Sequence, residues 1–345
     1  MGFPALNLLF RPRLPHNPRA MEIGGLIIKG KVVLGPMAGV TSLAYREFMK
    51  GFGVGLSYSE MISDCGLVYG NKKTLLYAAT SKTDRPVGLQ LFGFDKDISA
   101  KAVAILEENA DYDILDLNFG CPVTKVVKTG AGSAWMKDLD KMGEYASAVV
   151  KASSKPVTAK IRLGFDEESI NASTAVKVLE QAGVKAISIH CRTRAQGYSG
   201  SARYEAIEDL GRKMSVPLIV SGDIFGPLEA EKAVRITGAQ AVMVARGGVG
   251  NPFVVTQINE YLENGILLQK PTLLQQIGYA EDFSLRLIAE KGEAIAVKEL
   301  RGLIPHFFSG FPGFKAIRNN IATHVKTKDE LFAIFNGLRR REDGR

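Results

Sequence analysis

Short apolar runs rich in β-branched residues recur along residues 31–264, separated by stretches with apolar residues at helical spacing. The runs are VVLGPM (32–37), LSYSEM (56–61), PVGLQLFG (86–93), ILDLNFG (114–120), VTAKIRLG (157–164), AISIHCRT (186–193), PLIVSGDI (217–224) and AVMVARGG (241–248). Segments such as 97–109 and 171–182 lie between them and read as helices. This alternation predicts a parallel sheet with helices outside it. Eight such units in roughly 230 residues have the count and size of a (β/α)8 TIM barrel, an α/β fold. A doubly wound open sheet competes, but no Gly-x-Gly-x-x-Gly turn follows the first run.

The C-terminal ends of the runs carry small or polar residues in register. They are Pro36, Met37 and Ala38, then Glu60, Gln90 and Asn118, then Lys160 with Arg162, His190 with Arg192, Ser221-Gly222-Asp223, and Ala245-Arg246-Gly247. Barrel active sites are built at that face, so the register matters more than any one polar residue. After residue 264 the pattern changes to a linker, then to helical spacing over 272–335, then to the basic tail LRRREDGR. The expected organisation is a barrel over 21–264 and a small all-helical domain over 265–345. Residues 1–20 hold four prolines and no period, and they read as a leader outside the fold.

Charge sharpens this division. The net charge of +8 splits into +3 in residues 1–20, +1 in 21–264 and +4 in 265–345. A neutral body with basic ends suits an appendage that binds a polyanion, although +4 on a helical segment also suits an ordinary solvated surface. No apolar run approaches the ~20 residues that cross a bilayer, so no membrane association is expected. Three scattered cysteines, Cys65, Cys121 and Cys191, suggest neither a disulfide framework nor a metal site. The expectation is a cytoplasmic monomer without metal.

The barrel mouth carries the candidate chemistry. Small residues in SGDI and ARGGVGNP let backbone N–H groups approach a phosphate, and Arg246 adds a charge-assisted bond. Taken alone, these glycines also suit tight turns. Beside Lys160 and Gln90 at neighbouring strand ends they point to a flat phosphorylated cofactor. Lys160 lies in an apolar strand, where its ammonium can meet the ring edge that collects negative charge on reduction. Gln90 offers both donor and acceptor. Buried free cysteines are usually small inert hydrophobes, which is the reading for Cys65 and Cys191. Cys121 differs: it follows the fourth run at the catalytic face, and a thiol with an ordinary pKa near 8.5 suits a general acid. His190 reads as ligand-facing, with a core histidine as the alternative.

GPMAGVTSLAYR, SEM, LQLFG, DLNFGCP, TGAGSAWM, AKIRLG, IHCRTRAQGYSG, SGDI and ARGGVGNPF occur in an order that resembles tRNA-dihydrouridine synthases. ELRGLIPHFFSGFPGFKAIRNNI resembles the C-terminal helical motif of the bacterial B-type enzymes. The resemblance spans about residues 21–325, and Asn-x-Gly-Cys-Pro is its most specific element. It implies an FMN site at Pro36, Met37, Ala38, Gln90, Lys160, His190, Ser221, Gly222, Asp223, Ala245 and Arg246. It implies Cys121 as proton donor, Asn118 and Arg162 near the target uracil, and a basic helical part, with Arg301 and Arg318, that binds tRNA. The activity implied is reduction of tRNA uridine to 5,6-dihydrouridine by NADPH or NADH through FMN: hydride goes from flavin N5 to C6 and a proton to C5. The sequence departs from the family pattern at Ser42, Tyr45, Ser221 and Arg203-Tyr204. Three other readings compete: a flavin barrel acting on a free pyrimidine, an RNA-binding barrel without catalysis, and a Schiff-base aldolase using Lys160.

Overall fold

The computed structural model describes residues 20–343, so the expected leader lies outside the described residues except for Ala20. A two-stranded antiparallel hairpin, β1 (Met21–Ile23) and β2 (Leu26–Ile28), comes first. Eight parallel strands follow: β3 (Val32–Leu34), β4 (Leu56–Ser63), β5 (Val87–Phe92), β6 (Ile114–Asn118), β7 (Val157–Arg162), β8 (Ile187–His190), β9 (Leu218–Ser221) and β10 (Ala241–Val244). They close into a barrel in which β10 pairs with β3. Each expected apolar run supplies one strand, and the TIM barrel read from the pattern is the observed fold.

The apolar pattern does not announce the hairpin. Its strands are too short to show a period, and its signal is the Gly24-Gly25 pair. Both glycines have positive φ (55° and 89°), the geometry that closes a two-residue hairpin. Met21, Ile23 and Ile28 are buried in one cluster with Val33, Leu56, Tyr58, Ile114, Ile219 and Met243 from the barrel interior. The hairpin therefore stoppers the barrel end opposite the strand C-termini.

Helices surround the barrel, and local sequence starts and stops them. Ser42, Asp95 and Asp138 accept backbone N–H bonds at the starts of Leu43–Lys50, Lys96–Asn109 and Leu139–Ala152. Past the helix Val254–Asn264 comes a stretch without regular structure, and Thr272 and Gln275 then form a reciprocal capping box opening Leu273–Lys291. The helices Glu293–Leu303, Lys315–His324 and Lys328–Asp343 complete the C-terminal part. The last helix takes up most of the expected basic tail: Leu338 is buried, and Arg339 Nη1 donates to Glu281 Oε1 at 2.6 Å.

This helical part shares its core with the barrel. Tyr45 and Phe48 on Leu43–Lys50 meet Phe283, with ring centroids 5.5 and 5.4 Å apart, and Phe307 packs 6.1 Å from Phe283. Burying side chains of this size contributes about 1.5–3 kcal/mol each. Glu290 also caps the barrel-side helix across the junction, its Oε2 accepting from Ala44 N at 2.8 Å.

Candidate functional site

A cleft opens at the C-terminal ends of β7–β10 and β3. Its lining includes Pro36, Met37, Lys160, His190, Ser221, Gly222, Asp223, Ala245 and Arg246. The structure thus gathers the expected cofactor residues into one cleft, except Ala38 and Gln90. Ala38 is exposed on the loop after β3. Gln90 is 1% exposed beneath the mouth; its Nε2 donates to Asp116 Oδ2 at 2.6 Å and its Oε1 accepts from Asn118 Nδ2 at 2.7 Å.

The cleft is strongly cationic. The ammonium of Lys160, a half-buried residue of its wall, makes no hydrogen bond or ion pair within the described residues. Burial and the neighbouring Arg162 push its pKa down to about 8, against the pull of Asp116. His190 is held well below its ordinary range by burial and by Lys160, Arg162, Arg192 and Arg246, so its ring is neutral at pH 7. Arg246 stands over the Tyr198 ring, 4.8 Å from its centroid, and its Nη2 lies 3.4 Å from Asp223 Oδ1.

The wall after β9 turns sharply. Gly222 has φ +115° and Asp223 +51°. A Cβ on Gly222 would sit 2.9 Å from Ala202 Cβ and 3.0 Å from His190 Cδ2, so the backbone itself reaches the cleft. The Tyr204 hydroxyl donates to the Gly222 carbonyl, which gives the departing Arg203-Tyr204 pair a role in shaping this turn. Of the other departures, Ser42 caps a helix, and Tyr45 fills the junction core with its hydroxyl unpaired. Ser221 sits in the cleft wall, 5% exposed.

Cys121 lies just past β6, and its main chain is fixed at both ends. Its N–H donates to Asn118 Oδ1 at 2.9 Å, and its carbonyl accepts from Ser133 N and Oγ at 3.1 and 2.9 Å. Burial raises the thiol pKa, opposed by a Val123 backbone bond and by Arg162 and Lys160. The thiol therefore keeps its proton at neutral pH, as a general acid must. Arg162 ties two loops together, donating to the Gly120 carbonyl after β6 at 2.8 Å and to the Thr193 and Gly197 carbonyls after β8 at 2.9 and 2.8 Å. Cys191 is fully buried, and burial also raises its thiol pKa. Cys65 is partly exposed beside Asp64.

Arg301 and Arg318 lie far along the chain in the helical part. Arg301 Nε donates to the Ala322 carbonyl at 3.0 Å, so it braces the end of Lys315–His324. Arg318 lines a surface cleft with His306, Ser309, Lys315 and Asn319. Sequence reasoning gave Tyr198 no role and Arg192 only a place at a strand end. Tyr198 lines the cleft between Arg162 and Arg246, and Arg192, behind the lining, holds Asp223. Both stand within the IHCRTRAQGYSG run, but their partners come from other strand ends.

Residues 33–338 match the model of the family described as dihydrouridine synthase (Dus). A probable tRNA-dihydrouridine synthase of Rickettsia conorii is 34% identical over 322 residues, 92% of this chain and 97% of that protein. The tRNA-dihydrouridine synthase B of Xanthomonas campestris pv. campestris is 37% identical over 328 residues, 92% and 98% of the two chains. Among solved structures, histamine dehydrogenase from a Rhizobium species superposes with TM-score 0.55 at 13% identity, over 70% of this chain and 47% of that one. At that identity it speaks to the barrel fold alone. With the family model matching nearly the whole described chain, and relatives of this identity covered almost end to end, the chain belongs to the tRNA-dihydrouridine synthase family, with B-type enzymes among its relatives.

Proposed function

We propose that this protein reduces specific uridines in tRNA to 5,6-dihydrouridine, with FMN in the barrel cleft and NADPH or NADH as electron donor. The observation that carries this reading is Cys121 on a loop pinned by Asn118 and Ser133 beside a cationic cleft, in a chain of this family. The residues fit a flavin mononucleotide. Lys160 offers an unpartnered ammonium in the cleft wall, and Gly222 and Gly247 bring backbone close at the phosphate end. A Cβ on Gly247 would lie 2.1 Å from the Ile224 carbonyl oxygen, so that approach requires glycine. Arg246 supplies charge at the same end. When bound there, the flavin supplies hydride from N5 to uracil C6.

The protein's own groups do the rest. Cys121 donates a proton to C5, Arg162 meets the uracil edge at the mouth, and Asn118, its amide spent on Gln90 and on the Gly120 and Cys121 N–H groups, holds the thiol loop. A base buried in an RNA stack must be turned out to reach them. Residues 265–345 act as the tRNA-binding part, holding phosphates through basic side chains that include Arg318 and, through its brace, Arg301. The test is direct: purify the protein, identify the released flavin by mass, then incubate with unmodified tRNA and NADPH or NADH. Flavin and new dihydrouridine are expected. A colourless protein that forms no dihydrouridine after flavin is added back overturns the reading.

A further inference from the structure

Under the cleft floor a chain of buried hydrogen bonds runs from one side of the barrel to the Cys121 loop. Cross-strand register brings its middle together, with Gln90 beside Asp116 and Asp116 beside Thr158. Asp116 is fully buried and accepts on both oxygens: from Thr158 Oγ1 at 2.7 Å on Oδ1 and from Gln90 Nε2 at 2.6 Å on Oδ2. The Thr158 proton being spent there, the Tyr58 hydroxyl, 3.0 Å away, must donate to Thr158.

An ionised carboxylate only accepts, and this one propagates upward. Because Gln90 Nε2 faces Asp116, Gln90 Oε1 faces Asn118 and accepts from its Nδ2 at 2.7 Å. Because Asn118 Nδ2 is so turned, its Oδ1 is left to accept from Gly120 N and Cys121 N at 3.1 and 2.9 Å. Each bond fixes the sense of the next. Burial pushes the Asp116 pKa up to about 6, while its two hydrogen bonds and Lys160 favour the charged form, so the carboxylate is mostly ionised at pH 7.

We propose that Asp116 is a positioning residue for uridine reduction: its acceptor oxygen fixes which way the Gln90 and Asn118 amides point, and through them where the Cys121 main chain sits. The kinetic part of this proposal rests on Cys121 being the proton donor; the orienting part does not. A competing role, simple charge balance for Lys160, predicts different mutants. Asp116→Asn removes the charge but keeps an oxygen for Gln90, since its amide can donate to Thr158 while that hydroxyl turns toward Tyr58. Asp116→Leu removes both.

The experiment measures kcat and KM for tRNA per bound flavin, and amide hydrogen exchange of the 118–121 segment, in the full-length protein. Asp116→Asn is expected within a few-fold of wild type on all three. Asp116→Leu should lose on the order of 10²-fold in kcat with KM little changed, the cost of a displaced catalytic group, and exchange at Gly120 and Cys121 should quicken. A folded Asp116→Leu protein with wild-type kcat and exchange overturns the proposal, as does Asp116→Asn being equally damaged. Should Asp116→Leu not fold, the pair Asn118→Asp and Asp116→Asn/Asn118→Asp decides. The single change sets acceptors against Gln90 from both sides. The double change restores a complete set with Gln90 reversed. Exchange protection at Cys121 should be lost in the single and regained in the double; a double no better than the single overturns the proposal. If Cys121→Ala still reduces uridine, the functional reading fails separately, and the exchange data alone judge Asp116.

Discussion

Arg192 and Asp223 tie the ends of β8 and β9 together: Arg192 Nη2 donates to Asp223 Oδ2 at 2.7 Å, with the guanidinium 2% exposed. The Arg192 side chain also holds the carbonyls of Ser199 and Gly200, at 3.0 and 2.6 Å. Asp223 in turn accepts from Ala202 N at 2.8 Å, so one carboxylate sets the shape of the cleft wall. Asp223→Ala would leave a buried guanidinium short of its charged partner, at a cost of about 2–3 kcal/mol. Urea unfolding measures this. Burial disfavours the Asp223 charge, but the bonds from Arg192 and Ala202 prevail and its pKa is lowered. Its contribution is therefore present above the ordinary carboxylate range near 3.9 and lost as pH falls below it. An Asp223→Ala protein as stable as wild type at pH 7 contradicts this account.

Lys160 carries opposite consequences for stability and for binding. Its pKa is depressed to about 8, so the flavin-free fold holds its proton less readily than the unfolded chain does. The penalty is full below pH 8 and is relieved as pH rises from about 8 toward the ordinary value of about 10.4. Lys160→Met should therefore stabilise flavin-free protein at pH 7, by on the order of 2 kcal/mol, and hold flavin weakly or not at all. Full flavin occupancy with normal reduction by NADPH in the variant would remove Lys160 from the site.

Cys121→Ala separates proton delivery from everything before it. Flavin binding, reduction by NADPH and tRNA binding should persist, while oxidation of pre-reduced enzyme by tRNA falls by ~10²–10⁴. Because burial raises the thiol pKa, the wild-type single-turnover rate should stay level across neutral pH and decline only above the ordinary thiol range. A rate in Cys121→Ala within a few-fold of wild type would show that the thiol donates nothing.

Lys315 and Arg318 line the surface cleft of the helical part and are exposed and half-buried respectively, whereas Arg301 braces a helix. Lys315→Ala with Arg318→Ala should weaken tRNA binding and leave RNA-free NADPH oxidation intact. The salt dependence should flatten by roughly 0.7–0.9 decades of affinity per decade of salt for each phosphate that no longer meets a cation. Arg301→Ala should in addition lower thermal stability. Wild-type binding that ignores salt would refute an electrostatic tRNA surface.

Much of this architecture was legible in the chain. The eight runs become the eight barrel strands because a buried parallel strand needs a short apolar stretch whatever its neighbours are. Lys160, His190 and Arg246 fall at the mouth because the ends of those runs are themselves the mouth. What the pattern hid is pairing. Nothing around Gln90 shows that Asp116 and Asn118 take its amide, since cross-strand register is a property of closure. Tyr198 meets Arg246 because β9 pairs with both β8 and β10 and so sets the loops that follow them close together. The hairpin at 21–28 escaped because six strand residues carry no period, although its two glycines were a visible turn signal.

That hairpin gives the barrel a front door and no back door. With Met21, Ile23 and Ile28 wedged into the far end, nothing enters or leaves except past the loops after the strands. On the function proposed here, nicotinamide and uracil would share that one entrance. The enzyme would then work as a two-stroke device, charged by one visitor and discharged by the next. Varying both substrates should give parallel double-reciprocal lines, and excess NADPH should crowd out tRNA.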